Sequence, residues 1–284
     1  MTEFLEADQI FNIDCLEGMK KIRDKSIDIV FCDLPYGTTK CRWDTPIDLE
    51  ALWLEYGRIV KDNGAILLFA QTPFDKILGC SNLKLLRYEW IWEKTCATGH
   101  YNANKMPLKA HENILVFYKK LPVYYPQKTS GHTPVHAYTK TIKTQNNTEL
   151  YGRATKAQSG GGSTERYPRS VVEFPTDVQK SCIHTTQKPL ELCRYMIRTY
   201  SDPGDLLLDH CCGSGSIPLA AKLEGRCYIG MDNGICTKPG PNYGRTWADI
   251  ATQRIENYDL EEHREGQKDL PTSPLLSGKR SNKI

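Results

Sequence analysis

The tetrapeptide Asp33-Leu34-Pro35-Tyr36 ends a short apolar run, and its residue types suit the handling of an exocyclic amine. Pro35 biases Leu34 toward an extended backbone. The Leu34 carbonyl and the Asp33 carboxylate can then both accept hydrogen bonds from one –NH2 group, while Tyr36 offers an aromatic face to a base. Such an amine is a poor nucleophile because its lone pair is delocalised into the ring. Two acceptors favour its pyramidal form, so the catalysis would rest on positioning and electrostatics, with no covalent enzyme intermediate. An Asp-x-Pro turn with a surface tyrosine is the competing reading of these four residues.

A second segment, Asp209-His210-Cys211-Cys212-Gly213-Ser214-Gly215, follows the apolar run Leu206-Leu207-Leu208 and precedes a helical pattern. Strand, glycine loop and helix together form a setting for nucleotides: glycines let the backbone approach a ligand closely, and the helix N-terminus presents N–H donors. Asp232 ends the next strand-like run, where a carboxylate commonly binds ribose hydroxyls. A tight turn without a ligand and a dinucleotide site remain open as alternatives. The loop is G-x-G without a third glycine, and nothing nearby suggests hydride chemistry.

The elements that must position these loops follow from periodicity. Ile27 to Cys32 reads as a strand buried on both faces, placing Asp33 at its carboxyl end, where open α/β sheets bind ligands. Leu49 to Val60 has helical spacing and is closed by Asn63-Gly64; Ala65 to Ala70 is another strand, and Pro73 to Leu78 starts a short helix. Tyr88 to Trp92 and Ile114 to Tyr118 read as further strands. After the insertion described below, Pro189 opens a helix with the stripe Leu190, Cys193, Met196, Ile197 and Tyr200. Leu206 to Leu208 is then a strand, Ser216 to Leu223 a helix, Cys227 to Met231 a strand and Trp247 to Tyr258 the last helix. This alternation predicts an α/β fold with a parallel sheet and crossover helices.

From about Leu121 to Lys180 the pattern fails, and Ser159-Gly160-Gly161-Gly162-Ser163 marks a mobile loop within an insertion. Lys119 to Ser170 holds nine Lys or Arg against two acids, Glu149 and Glu165, although the whole chain of 284 residues carries only +3. Basic charge concentrated in one segment is expected of a polyanion-binding surface; a solvated loop is the bland alternative. Lys128, Lys140, Lys143, Arg153, Lys156, Arg166 and Arg169 are the candidate contacts to such a polyanion. The chain reads as residues 1–120, an inserted region 121–181, residues 182–260 and a disordered tail 261–284. Its 11 cysteines include no C-x-x-C pair, so they read as small apolar residues and no metal is expected. Without an apolar run of membrane length or a signal-peptide pattern, the protein is expected in the cytoplasm, away from membranes.

The order of the two loops, with several further segments, resembles the β-class of SAM-dependent DNA amino-methyltransferases over roughly residues 8 to 258. In that family a D-P-P-Y motif precedes the target-recognition region and F-x-G-x-G follows it. Asn12-Ile13-Asp14-Cys15 is similar to the strand whose Asp contacts the adenine of S-adenosylmethionine (SAM), and His184-Thr185-Thr186-Gln187-Lys188-Pro189 to the H-x-T-Q-K-P motif near the methionine end. The resemblance implies a Rossmann-like class I fold, circularly permuted, with a seven-stranded, mostly parallel sheet containing one antiparallel strand. It implies Asp33, Leu34, Pro35 and Tyr36 as catalytic. It implies Asp14, Cys15, His184, Lys188, Asp209, Cys211, Gly213, Ser214, Gly215 and Asp232 as cofactor contacts, with S-adenosyl-L-homocysteine as product.

Two departures stand out. Leu34 replaces the first proline of the motif but keeps the backbone carbonyl. His210-Cys211-Cys212 replaces Pro-Phe-x, so Cys211 gives a smaller wall beside the methionine portion. Asp33, as opposed to serine, resembles the adenine-N6 members, which implies methylation of a flipped-out adenine in double-stranded DNA. N4-cytosine transfer, an RNA or protein amide substrate, and an inactive DNA-binding regulator are the alternatives. A homodimer and a cognate restriction endonuclease are partners that the resemblance raises.

Overall fold

The computed structural model describes residues 4–37, 44–136, 138–140, 158–176 and 187–258. By contact the chain divides into two compact units, whose described residues lie in Met1–Tyr125 with Arg169–Lys268, and in Pro126–Pro168.

The first unit is built on one sheet. Its strands are β1 (Gln9–Phe11), β2 (Ile27–Asp33), β3 (Val60–Ala70), β4 (Leu86–Thr98), β5 (Lys109–Phe117), β8 (Val171–Phe174), β9 (Leu206–Asp209) and β10 (Cys227–Met231). The remaining pair, β6 (Tyr138–Lys140) and β7 (Gln158–Gly160), forms a separate antiparallel ribbon. The helices are α1 (Cys15–Met19), α2 (Leu49–Ile59), α3 (Phe74–Ser81), α4 (Leu190–Tyr200), α5 (Ser216–Leu223) and α6 (Trp247–Glu256).

The sheet runs β1-β10-β9-β2-β3-β5-β4-β8. Only β5 is antiparallel to its neighbours; the other pairings are parallel. The implied single antiparallel strand is therefore present, but the sheet has eight strands where the resemblance implied seven. The additional strand is β8, assigned by the sequence to the insertion. Only Val172 and Phe174 of its V-V-E-F pack against the core, so its alternation is too short to stand out.

Side-chain alternation along β2 divides the core. Ile29 and Phe31 join the cluster beneath α4 and α5, with Cys193, Met196, Ile197 and Leu219. Val30 and Cys32 join the opposite cluster beneath α1, α2 and α3, with Met19, Leu52, Tyr56 and Leu78. Asp48 caps α2 by accepting from Glu50 N (2.9 Å) and Ala51 N (3.2 Å). That helix ends at Ile59 and β3 begins at Val60, so Asn63 and Gly64 lie within β3, where its pairing with β2 shifts register between Ile27 and Ile29. They do not close the helix as expected.

In the second unit, Thr129 bridges Arg166, and β6 pairs with β7. The expected loop at Ser159 therefore begins in strand β7. The expected tail from Glu261 lies outside the described residues. Among the described residues no helix is long and apolar enough to cross a membrane.

Candidate active site

The strands β2 and β9 are hydrogen-bonded neighbours, with Ile29 opposite Leu207 and Val30 opposite Leu208. Their carboxyl ends therefore bring Asp33 and Asp209 to the same edge of the sheet. Beside β9, β10 delivers Asp232, and beyond it β1 leads to Asp14. A cavity of about 1070 Å³ opens at this edge, near the upper limit of the roughly 300–1,000 Å³ usual for ligand sites.

On one wall lies the glycine loop. Gly213 N donates to Asp232 Oδ2 (2.9 Å), Gly234 N donates to Asp232 Oδ1 (2.8 Å), and Cys212 N donates to Met231 O (3.0 Å). Burial raises the Asp232 pKa, and the two backbone donors oppose it. Arg254 holds the far side of the loop by donating to Ser214 O (2.9 Å) and Ser216 Oγ (3.1 Å). Gly213 has φ +49°, and a Cβ built there would meet no atom within 4 Å. Gly215 has φ +77°, and a Cβ there would lie 2.8 Å from Ala251 Cβ. Gly213 thus leaves space toward the cavity, whereas Gly215 lets α5 pack on α6. Gly213, Ser214, Cys211 and Asp209 line the cavity; Gly215 does not.

The Asp33 loop, after the neighbouring strand β2, shares this cavity, with Asp33, Leu34 and Pro35 lining it. Asp33 Oδ1 accepts from the Tyr36 hydroxyl (2.8 Å), and Oδ2 pairs with Lys188 Nζ at 2.7 Å. Lys188 also pairs with Glu112 Oε2 (3.1 Å), and Glu112 Oε1 with Lys94 Nζ (2.6 Å). The result is a buried row of alternating charge. Burial alone would lower the Lys188 pKa, but Asp33 and Glu112 outweigh it and hold the ammonium above the ordinary lysine value. Burial raises the Asp33 pKa; Lys188 pulls it down and Glu112 pushes it up, leaving a net rise. The two partners thus shift in opposite senses for stability of the ion pair. The short contact and the shared ammonium favour the charged pair at neutral pH.

Register explains this row. Asp33 lies opposite Phe69, and Phe69 opposite Ile114, so Glu112, two residues from Ile114, shares the face of Asp33. Lys188 immediately precedes α4 on that face, its Nζ 4.9 Å from the Phe69 ring centroid.

Of the residues singled out in the sequence, Asp14, Cys15, Lys188 and Asp232 also line the cavity. Asp14 caps α1, accepting from Leu16 N (3.0 Å) and Glu17 N (3.2 Å). Lys188, expected near the methionine end of SAM, lines the cavity and pairs there with Asp33 and Glu112. Tyr36, expected to present its ring to a base, stacks on Phe74 (centroids 5.3 Å apart, 26° between planes) and is absent from the cavity wall. His184 lies outside the described residues, as do Lys143, Arg153 and Lys156; for Lys140 only the backbone, in β6, is described. In the second unit, Arg166 donates to the carbonyls of Ser163 (3.0 Å), Glu165 (2.9 Å) and Thr133, and Lys128 pairs with Glu165 (2.9 Å). Both therefore make their polar contacts within their own unit. Arg169 is exposed. Sequence reasoning missed Glu112, Lys94 and His210. Glu112 and Asn113, polar residues beside the run I-L-V-F, were the one available signal of a buried polar position.

Comparison with known proteins decides the family. The family model described as DNA methylase (N6_N4_Mtase) matches residues 27–236. The chain belongs to this family of DNA amino-methyltransferases. It is 25% identical over 253 residues to the type II methyltransferase M1.MboII of Moraxella bovis, spanning 80% of this chain and 92% of that protein. It is 28% identical over 253 residues to the DNA adenine methyltransferase YhdJ of Escherichia coli K12, spanning 80% and 79% respectively. Among solved structures, the M1.HpyAVI–SAM complex is similar in fold, with TM-score 0.57 at 18% identity over 87% of this chain and 98% of that one. PvuII methyltransferase, cytosine-N4-specific, also has TM-score 0.57, at 15% identity over 94% and 92%. The expected class I methyltransferase fold and its permuted order are thus those of the family.

Proposed function

We propose that the chain methylates the N6 amine of an adenine flipped out of double-stranded DNA, with SAM as methyl donor. The observation that carries this reading is the shared cavity: the amine-gripping Asp33 and the open Gly213 face it from adjacent strand ends. The donor set suits a nucleoside-containing ligand. Asp14 and Asp232 offer carboxylates at the adenosine side, and the space above Gly213 is what a Cβ would fill.

When bound, SAM supplies an electrophilic methyl group on its sulfonium. Asp33 and the Leu34 carbonyl accept hydrogen bonds from the target amine and orient its lone pair. The Asp33 side chain is 22% exposed, which leaves it accessible from the cavity while Lys188 and Tyr36 fix its orientation. Lys188, paired at 2.7 Å, favours the ionised carboxylate against the effect of burial, so both oxygens can accept. The nitrogen loses one proton as it gains the methyl group, and Asp33, its basicity raised by burial, is the acceptor within reach. Aspartate at the head of the motif and the likeness to YhdJ support adenine as the base.

The test uses plasmid from a host lacking adenine and cytosine methylation, incubated with purified protein and SAM, then digested to nucleosides for mass spectrometry. N6-methyldeoxyadenosine is the expected product. N4-methyldeoxycytidine would overturn the base, and absence of SAM binding would overturn the enzyme reading. Activity should also fall steeply with salt, as phosphate contacts release counterions; preference for structured RNA would overturn the DNA substrate.

A further inference from the structure

Immediately beside Asp33, on the opposite face of β2, Cys32 belongs to a cluster that the methyl-transfer reading leaves unused. The ligand atoms of Cys32, His210 and Cys211 all lie within 4.8 Å of one another. Cys211 Sγ is 3.4 Å from His210 Nδ1. Cys15, at the start of α1, packs on the same core cluster as Cys211 and lines the same cavity. On the far side of the imidazole, the Tyr56 hydroxyl lies 2.5 Å from Nε2. We propose that these residues bind one zinc ion, with Cys32, Cys211 and His210 Nδ1 as ligands and the fourth position open to the cavity.

Geometry and chemistry support this together. Zinc binds sulfur at about 2.3 Å and imidazole nitrogen at about 2.0–2.1 Å, so sulfurs in a tetrahedral site lie roughly 3.8 Å apart. A cluster already within 4.8 Å needs a contraction of about 1 Å at most. Thiolates with an imidazole favour zinc over magnesium or calcium. A metal-bound histidine commonly donates its second N–H to an orienting group, and the Tyr56 oxygen is in place to accept from Nε2. All three ligands sit at ends of regular elements: Cys32 in β2, His210 and Cys211 directly after β9. Cys15, His210 and Cys211 line the cavity, which gives the ion an entry path. Packing alone accounts for small apolar cysteines; it does not call for an imidazole that sits beside two thiols and has its distal nitrogen held by a tyrosine.

A zinc ion there would share the wall of the cavity that we assign to SAM and would weaken SAM binding. That consequence rests on the proposed function, whereas ion binding does not.

The test titrates the full chain, stripped of metal and kept reduced with a phosphine, with cobalt(II) as a coloured substitute and zinc as competitor. A thiolate-to-cobalt charge-transfer band saturating at one equivalent and displaced by zinc is expected. Cys211→Ser and Cys32→Ser should each abolish the band. Tyr56→Phe should weaken zinc binding about tenfold through loss of the orienting contact. Thermal unfolding of each variant checks that the fold is retained, and His210→Gln serves if Cys32→Ser does not fold. The exposed pair Cys80→Ser/Cys96→Ser should keep the band. A band that never saturates at one equivalent, survives Cys32→Ser/Cys211→Ser, or vanishes in the exposed-cysteine variant would overturn the site. A chain that binds zinc but never SAM would support the site and sink the cofactor reading. SAM binding unchanged by one equivalent of zinc would overturn the placement at the cavity wall.

Discussion

The two loops that line the cavity from adjacent strand ends are prepared in different ways. The Asp33 loop is closed on itself: both carboxylate oxygens are engaged, by Tyr36 and by Lys188, and the Tyr36 ring is stacked on Phe74. The glycine loop is tied down from behind, by Asp232 and Arg254, and open in front, where Gly213 presents bare backbone. One loop is preorganised for charge and the other for space. The difference suits a group that must orient one amine and a surface that must admit a large ligand. It also implies that substitutions in the two loops fail in separable ways.

The largest effect is expected at Asp33. Asp33→Asn keeps an oxygen acceptor and the approximate shape but removes the charge, so kcat should fall about 10²–10³-fold, as when one preorganised polar contact is removed from an active site. SAM affinity, measured by calorimetry, should stay within a few-fold. Near-normal turnover would remove Asp33 from its role. The glycine loop should behave in the opposite way. Gly213→Ala places a methyl group in open space at positive φ, costing about 1–2 kcal/mol of stability but filling the cradle, so SAM binding should be lost. Gly215→Ala meets Ala251 at 2.8 Å and should add about 1–3 kcal/mol of overpacking to similar strain. Urea denaturation separates them: Gly215→Ala should lose more stability than Gly213→Ala. The reverse order would mean that Gly213, too, serves packing.

Much of this was legible in the sequence because each loop follows a strand with strong local periodicity. Leu206-Leu207-Leu208, Ser216 to Leu223 and Cys227 to Met231 all coincide with observed elements to within a residue. Both loops carry motifs whose residue types state their chemistry. The row Lys94–Glu112–Lys188–Asp33 was not legible, because it depends on the register of β5 against β3, fixed by pairing between distant segments. For the same reason the pairing of Lys188 with Asp33 was not foreseen. Local pattern also hid β8, which has only four residues and two inward side chains. The thiol cluster escaped because its members come from two separate segments and none forms a ligand pair by spacing.

A smaller effect should appear as displaced pH profiles. Asp33 can take the amine proton and accept with both oxygens only when ionised, so kcat should fall as pH drops through its pKa, which burial raises from the usual aspartate value. Lys188→Met removes the charge that pulls this pKa down and should move the acid limb to higher pH. Glu112→Gln removes a charge that pushes it up and should move the limb to lower pH. Opposite displacements are a signature that general loss of structure would not give. If both variants moved the limb the same way, Glu112 would be acting only through the placement of Lys188.

The smallest effect concerns the basic residues, where the contrast between engaged and open groups recurs. Lys128 pairs with Glu165 and lies 4.8 Å from the Tyr167 ring centroid, whereas Arg169 is exposed. An exposed ion pair contributes roughly 0–1 kcal/mol, so Lys128→Ala should barely alter stability, and a lysine already neutralised locally has less charge to offer a phosphate. Arg169→Ala should instead reduce the slope of log K against log salt by about one, the loss of one phosphate contact, with the affinity falling equally for specific and unrelated duplexes. An unchanged slope would place Arg169 off the DNA path. A change confined to one sequence would make it a base-reading residue, and the phosphate contacts would then have to come from elsewhere in the basic segment.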